Sequence, residues 1–432
     1  MSNQNGRGAP NGLDRRQFLK VAALGAGAAS LGVGFPAVIG RAANQPIRIG
    51  ALADVTGALY AAGSWGDKAA AAACGQINAK GGIKGRQVEY IREDTATNVQ
   101  TALRKLRKLV MEDKCDFILG SFSSGINTAC APLVESMEIP HFVLGTALSL
   151  TGANANRYTF RGIGNARMSM MALAKVASGQ IGKTYYCLGA DYEWGRSVVA
   201  EFRRVMDPLG GVFRGEEYSP VNTDDFIPYL NKIDPDKVDI LVAGYFTADI
   251  LKLARQAYEK GLLKKMQIVG GAMPTGLAPK DFGPAGPSLW FTGYGVRRMV
   301  NLPAELKKYN APFRQAIGLD DEGRDMKSGE VGAVEYAWAA WEHVYWIKRG
   351  IEKSGWKAKS DTPPFIQALE GLSVEAGFDF PQGDKTMRAQ DHQAFTDIYI
   401  SKVEEGNLVI KGRVPAKDLT YPAEVDLTKK NP

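Results

Sequence analysis

The 432-residue sequence predicts an α/β protein of two doubly wound lobes, each a parallel sheet covered on both faces. Three observations predict it. Short apolar strand patterns alternate with helical ones across short connections; the alternation begins near residue 46 and again after about residue 164; and each run is roughly the length of one compact domain. A composition of 45% hydrophobic and 23% charged residues fits such a globular chain and excludes disordered, collagen-like and disulfide-stapled classes.

In the first run, Ile47–Leu52 reads as a strand and Trp65–Asn78 as an alanine-rich helix stopped by Lys80-Gly81-Gly82. Gln87–Arg92 is the next strand. Val99–Glu112 is a helix with Leu103, Leu106, Leu109 and Val110 on one face, and Asp116–Gly120 a third strand. A helix over Ala131–Met137 and a strand at His141–Leu144 follow. Pro132 either begins that helix after an irregular turn or kinks it. In the second run, strands are expected at Lys183–Leu188, Val212–Tyr218, Val238–Ala243 and Met266–Val269. The helices between them are expected at Ser197–Met206, Phe226–Ile233 and Thr247–Lys260. Long helices return at Pro303–Ala316 and Gly329–Arg349, with a last strand near Thr396–Val403, so the C-terminal third completes both lobes. The expected division is 46–163 plus about 295–378 for lobe 1, and 164–294 plus about 379–432 for lobe 2.

Lys and Arg total 53 against 46 acids, a formal +7. Residues 1–43 hold Arg7, Arg15, Arg16, Lys20 and Arg41 against Asp14, which is +4, leaving +3 on the other 389 residues. That remainder gives no reason to expect a nucleic-acid partner. The leader reads as an export signal. Asp14-Arg15-Arg16-Gln17-Phe18-Leu19-Lys20 resembles the twin-arginine motif, an uncharged stretch runs from Val21 to Gly40, and Arg41-Ala42-Ala43 offers small residues for cleavage. The other reading of that stretch is an uncleaved membrane anchor. Against it, Gly25, Gly27, Gly32, Gly34 and Pro36 make the segment weakly apolar and poorly helical. No cysteine near the cleavage region suggests a lipid anchor.

Cys74, Cys115, Cys130 and Cys187 are too widely spaced for a zinc or iron–sulfur site, so no metal or cofactor is expected. Export allows disulfides, but the spacing leaves their pairing open against four buried free thiols. Nucleophilic catalysis finds no support: there are three histidines, and no G-x-S-x-G elbow, phosphate loop or H-E-x-x-H helix. An enzyme is therefore not expected, although a twin-arginine-exported enzyme is a rival reading.

Open parallel sheets bind ligands outside the carboxyl ends of their strands. There the third strand runs into Gly120-Ser121-Phe122-Ser123-Ser124-Gly125, where hydroxyls and free amides at a helix start suit an anion such as a carboxylate. A plain N-cap is the simpler role for such serines. Tyr60, Trp65, Trp194 and Tyr245 fall at strand ends that would face a cleft, and together suggest walls around an organic ligand.

The run Ile77-Asn78-Ala79-Lys80-Gly81-Gly82-Ile83-Lys84-Gly85, preceded by Thr56-Gly57 and Trp65-Gly66-Asp67 and followed by the serine loop, resembles the leucine/isoleucine/valine-binding family. These are type I periplasmic solute-binding proteins of ABC transporters. The resemblance spans most of residues 46–412. It implies two lobes joined by a three-segment hinge, a small-molecule ligand trapped between them, presentation to an ABC permease in the inner membrane, a monomer, and no reaction. A ligand-sensing receptor on the same fold is the other reading.

Carried over by position, the resemblance makes Ser124, with Ser123 and Gly125 beside it, the ligand-carboxylate site, and makes Gly145-Thr146-Ala147 the next binding loop. Trp65 becomes a first-lobe wall, and Trp194 and Tyr245 second-lobe aromatics. One departure stands out. The glutamate with which amino-acid binders of the family pair the ligand ammonium is replaced here by Ala272. The family's first-lobe cysteine pair falls on Ala96 and Ser123, so that bridge is absent. The expected ligand is therefore a small carboxylate or amide, aromatic in the favoured version, rather than an α-amino acid.

Overall fold

The structure is a computed structural model and describes residues 45–272 and 275–430. The twin-arginine leader, its cleavage region and its apolar stretch lie outside the described residues. No helix among the described residues is long and apolar enough to cross a membrane.

The first lobe opens with β1 (Ile47–Ala53), α1 (Tyr60–Ala79), β2 (Val88–Asp94), α2 (Val99–Met111) and β3 (Phe117–Leu119). It continues through α3 (Ser124–Ser136), β4 (His141–Phe142) and β5 (Thr159–Phe160). The strands form one parallel sheet in the order β2-β1-β3-β4-β5. Asn98 caps α2 by accepting from Thr101 N at 2.9 Å, and the Leu106–Leu109 face is buried as the spacing predicts. Helix α3 begins at Ser124, well before the expected Ala131, and carries Pro132 within it. The serines are thus the helix start itself, and only the Thr128 carbonyl loses its hydrogen-bond donor.

The second lobe holds α4 (Ala166–Gln180), β6 (Thr184–Ala190), α5 (Glu193–Met206), β7 (Val212–Ser219), α6 (Ile227–Leu230), β8 (Ile240–Gly244), α7 (Thr247–Glu259), β9 (Gln267–Gly270) and β10 (Leu289–Gly293). After β10 come α8 (Ala304–Ile317), α9 (Val334–Ser354), α10 (Thr362–Leu369), β11 (Ser373–Val374), β12 (Lys385–Thr386), and the hairpin β13 (Ile398–Glu404) with β14 (Asn407–Val414). The second sheet runs β14-β13-β10-β9-β8-β6-β7. It is parallel from β7 to β10, and the hairpin joins it antiparallel.

Several elements differ from the sequence reading. Helix α4 was not expected: Ala166, Arg167, Met168, Ser169 and Met170 are all buried, so no amphipathic period shows, and only the Asn165 cap on Met168 N (3.1 Å) marks its start. Strands β10 and β14 and helix α10 were likewise missed, β10 because prolines and glycines precede it. The expected Phe226–Ile233 helix shrinks to the single turn α6, and α9 begins at Val334 because bridges Leu319–Asp325 and Arg324–Val331 hold the preceding segment irregular. Helix α9 is buried nearly all round and packs along α1, where Gly66, Ala69, Ala70 and Ala73 permit close approach.

Three segments join the lobes and lie side by side. Arg161 N donates to His392 O at 2.9 Å and Ala394 N to Arg161 O at 2.8 Å. A Cβ on Gly164 would stand 2.6 Å from the Tyr294 ring and 3.2 Å from Thr396, so glycine lets the three strands of chain touch. Buried Arg161 and Gln393 pin them, with Arg161 Nε donating to Gln393 Oε1 at 2.6 Å and Gln393 Nε2 to Ile163 O at 2.8 Å. Beside this knot the fully buried ion pair Lys385–Glu342 is completed by Gly162 O, 3.2 Å from Lys385 Nζ. The tail then runs back past the hinge, where Glu424 pairs with Arg167 at 2.8 Å and Arg157 Nη1 donates to Leu427 O at 2.9 Å.

Candidate functional site

The cleft between the lobes is built on Asp54, the buried residue that follows β1. Its carboxylate accepts from Ser121 Oγ (2.7 Å), from Phe122 N (2.8 Å) and from the Thr95 hydroxyl. Burial raises the Asp54 pKa while these donors hold it down. The loop after β3 is thereby fixed so that the Phe122 ring lies on Gly66 of α1, where a Cβ would come within 2.6 Å of it. From Phe122 a line of rings crosses the cleft. Phe122 meets Tyr336 of α9 edge-on (5.0 Å, 85°), Tyr336 meets Phe246 (6.0 Å, 76°), Phe246 meets Trp194 (6.1 Å, 78°) and Trp194 meets Tyr192 (6.2 Å, 40°). Phe122 and Tyr336 belong to the first lobe, the other three to the second.

These rings line a cavity together with Leu59, Ala62, Leu144 and Thr146. Its free space of about 20 Å³ is room for little more than one water centre. Every lining side chain is uncharged; the polar groups are the hydroxyls of Thr146, Tyr192 and Tyr336 and the indole N–H of Trp194. Two acids lie close behind the wall. Burial pushes the carboxyl of Glu335, next to Tyr336, up to about 8 against the opposing pull of Arg297. Burial also raises Asp249, whose Oδ2 accepts from Asn222 N at 2.9 Å.

The sequence-derived candidates separate into groups. Thr146 and Trp194 line the cavity. Ser123 caps α3, accepting from Ile126 N at 3.4 Å, which is the plain capping role. Ser124 is buried and its Oγ accepts from Ala147 N at 3.1 Å, tying the helix start to the Thr146–Ala147 segment; Ala147 itself is buried. Gly125 stands in the first turn, where the amides have no intrahelical partner and the nearest atom to a Cβ would be Ser123 Oγ at 3.9 Å. Trp65 is buried and is not among the lining residues, with the Lys68 ammonium 4.4 Å from its ring centroid. Tyr245 lies in the second lobe's core, against Phe226 (5.2 Å, 82°) with its hydroxyl 3.1 Å from Ser219. Alternation along extended chain gives the cleft to its neighbour Phe246 instead. Ala272 is buried just beyond Gly271, where a Cβ would stand 3.4 Å from the Trp194 ring. Tyr60 is half exposed at the start of α1 and lies outside the cavity lining.

Sequence reasoning missed Phe122, Tyr192, Phe246 and Tyr336. The first three had a signal, since each sits within a recognised loop or beside a named candidate. Tyr336 had none, being one aromatic among many on a helix buried nearly all round.

A family model described as periplasmic binding protein matches residues 46–407. The chain is 25% identical over 394 residues to Leu/Ile/Val-binding protein homolog 4 of Brucella melitensis, covering 88% of each chain. Among solved structures, a solute-binding protein of a Rhodopseudomonas palustris ABC transporter in complex with 4-hydroxybenzoate superposes with a TM-score of 0.73 at 19% identity, covering 90% of this chain and all of that one. A leucine-binding protein of Thermotoga maritima gives 0.72 at 17% identity, covering 86% and 99%. A model spanning most of the sequence, two lobes around one cleft and a triple crossing between them lead to one conclusion: the chain belongs to the periplasmic binding protein family, with the Leu/Ile/Val-binding proteins of ABC transporters.

Proposed function

We propose that the protein is the periplasmic substrate-binding component of an ABC importer, and that it captures a small carboxylate or amide with an aromatic body. The observation that carries this reading is the uncharged line of rings from Phe122 to Tyr192, which crosses both lobes at the cavity. The cavity as it stands has about 20 Å³ of free space, so the lobes part to admit a ligand; a planar ring then enters such a wall edge-on or stacked, and its carboxylate finds the α3 amides and the hydroxyls of Ser124 and Thr146. An α-ammonium finds no lining acid, and Ala272 occupies the position where the resemblance expects one. Burying it unpaired costs on the order of several kcal/mol. The 4-hydroxybenzoate complex of a protein with the same fold supports an aromatic ligand, the leader 1–43 supports twin-arginine export, and membership of the family supports a partner permease in the inner membrane.

Calorimetric titration with benzoate, 4-hydroxybenzoate, benzamide and leucine tests it. An aromatic acid or amide is expected to bind and leucine to fail. Tight leucine binding overturns the ligand class and points to Glu335 or Asp249 as the partner of the ammonium.

A further inference from the structure

Beside the cavity, two hydrogen bonds run from a turn of the first lobe to helix α5 of the second. Leu148 N donates to Ser197 Oγ at 3.1 Å, and Ser149 Oγ donates to Glu193 Oε1 at 2.5 Å. Leu148 and Ser149 open a single 3₁₀ turn in the first lobe, whereas Glu193 and Ser197 stand four residues apart on α5 of the second lobe and share one helix face. The first-lobe side of this contact is rigid: Ala147 N is held by Ser124 Oγ at 3.1 Å, and Ala147 O accepts from the buried Arg161 guanidinium. On the second-lobe side, Glu193 is flanked by Tyr192 and Trp194, both of which line the cavity. Separating Ser149 from Glu193 therefore also draws those two rings off the first lobe.

We propose that Glu193 and Ser197 are positioning residues: by bonding Ser149 and Leu148 across the cleft they hold Tyr192 and Trp194 against a ligand they do not touch, and so set its residence time. This rests on the reading of the cleft as a ligand site. A bond made only when the lobes meet stabilises the closed form and leaves encounter unaffected, so its loss appears in dissociation.

The test follows benzoate and 4-hydroxybenzoate by tryptophan fluorescence in stopped flow. Glu193→Ala and Ser197→Ala are each expected to raise the dissociation rate about tenfold, the scale of one hydrogen bond to a charged or well-placed acceptor, with association unchanged. The ratio of the two ligands' affinities stays the same. Glu193→Gln keeps an acceptor for the Ser149 hydroxyl and is expected to restore most of the wild-type rate. An unchanged dissociation rate overturns the proposal, and so does an altered affinity ratio, which puts Glu193 in contact with ligand. Should the wild type bind neither acid, the aromatic ligand class fails separately. X-ray scattering of the unliganded proteins then decides the cross-cleft contact: a larger radius of gyration for the double alanine variant supports it, and an equal one overturns it.

Discussion

The rings of Tyr336 and Phe246 meet at 6.0 Å and 76° across the cleft, one from the first turn of α9 and the other from the N-cap of α7, just past β8. Each also holds a second ring edge-on in its own lobe, Phe122 for Tyr336 and Trp194 for Phe246. The pair therefore couples the two walls of the cavity, and Tyr336 adds a hydroxyl to its lining.

Tyr336→Ala is expected to weaken aromatic-acid binding by at least about tenfold, because it removes an aromatic wall at the centre of the contact. Tyr336→Phe keeps the ring and is expected to lose less, chiefly for ligands that carry a ring hydroxyl. Calorimetry with benzoate and 4-hydroxybenzoate separates the two effects, and equal affinity of Tyr336→Ala and wild type would remove Tyr336 from the site.

Asp54→Ala leaves the buried donors Ser121 Oγ, Thr95 Oγ1 and Phe122 N without their acceptor. The expected cost is about 1–3 kcal/mol per unsatisfied group, and the freed Phe122 loop lowers ligand affinity as well. Urea unfolding and titration of the same variant read both losses.

At the hinge, Lys385→Met alone strands Glu342 where water does not reach it and is expected to cost about 3–5 kcal/mol. Adding Glu342→Leu is expected to recover much of that, since the second change removes the unpaired carboxylate. A double-mutant cycle measures the coupling, and simple additivity of the two changes would contradict it.

His141 and His343 are buried, and desolvation pulls both down to about 3. In the unfolded chain they titrate near the ordinary histidine value, about 6.5. Between those values the unfolded state binds protons that the native state refuses, so the histidines' contribution is full above about pH 6.5 and falls as the pH drops toward 3, opposed in part by the raised carboxyl of Glu335, which favours the native state as pH falls below about 8. The slope approaches roughly 1.4 kcal/mol per pH unit for each histidine. Urea midpoints at pH 7 and 5 are expected to show the fall, and His343→Gln, which keeps an acceptor for Gly162 N, to flatten it.

All four cysteines are free and buried, which decides between the disulfide and free-thiol readings of the sequence. Burial pushes the thiols of Cys74, Cys115 and Cys130 up to about 12 and raises Cys187 further in the same direction. A thiol reagent is expected to leave native protein unmodified and to label four sites after unfolding.

The fold was legible in the sequence where one face of an element is wet. Helix α2 shows its Leu106–Leu109 stripe because its other side meets water, whereas α4 and α9, buried nearly all round, carry no period to read. The site was legible by neighbourhood rather than by residue. The serine loop, Trp194 and Tyr245 lead to strand ends that border the cavity, but which of two adjacent aromatics lines it depends on the alternation of extended chain: Phe246 does and Tyr245 does not. Asp54 could not be identified in advance, because its three partners come together only when β1, β2 and β3 pair.

The returning tail bears on how the protein can be handled. Residues that follow the last strand of the second sheet end on Arg157 of the first lobe, whose guanidinium is otherwise answered by Glu370 at 2.7 Å. Trimming the chain before Leu427 would take carbonyl acceptors from a buried cation, and an affinity tag fused after Pro432 would follow closely on an anchored stretch of backbone. A purification handle on this protein belongs behind a linker, and a shortened C-terminus is a change to its interior.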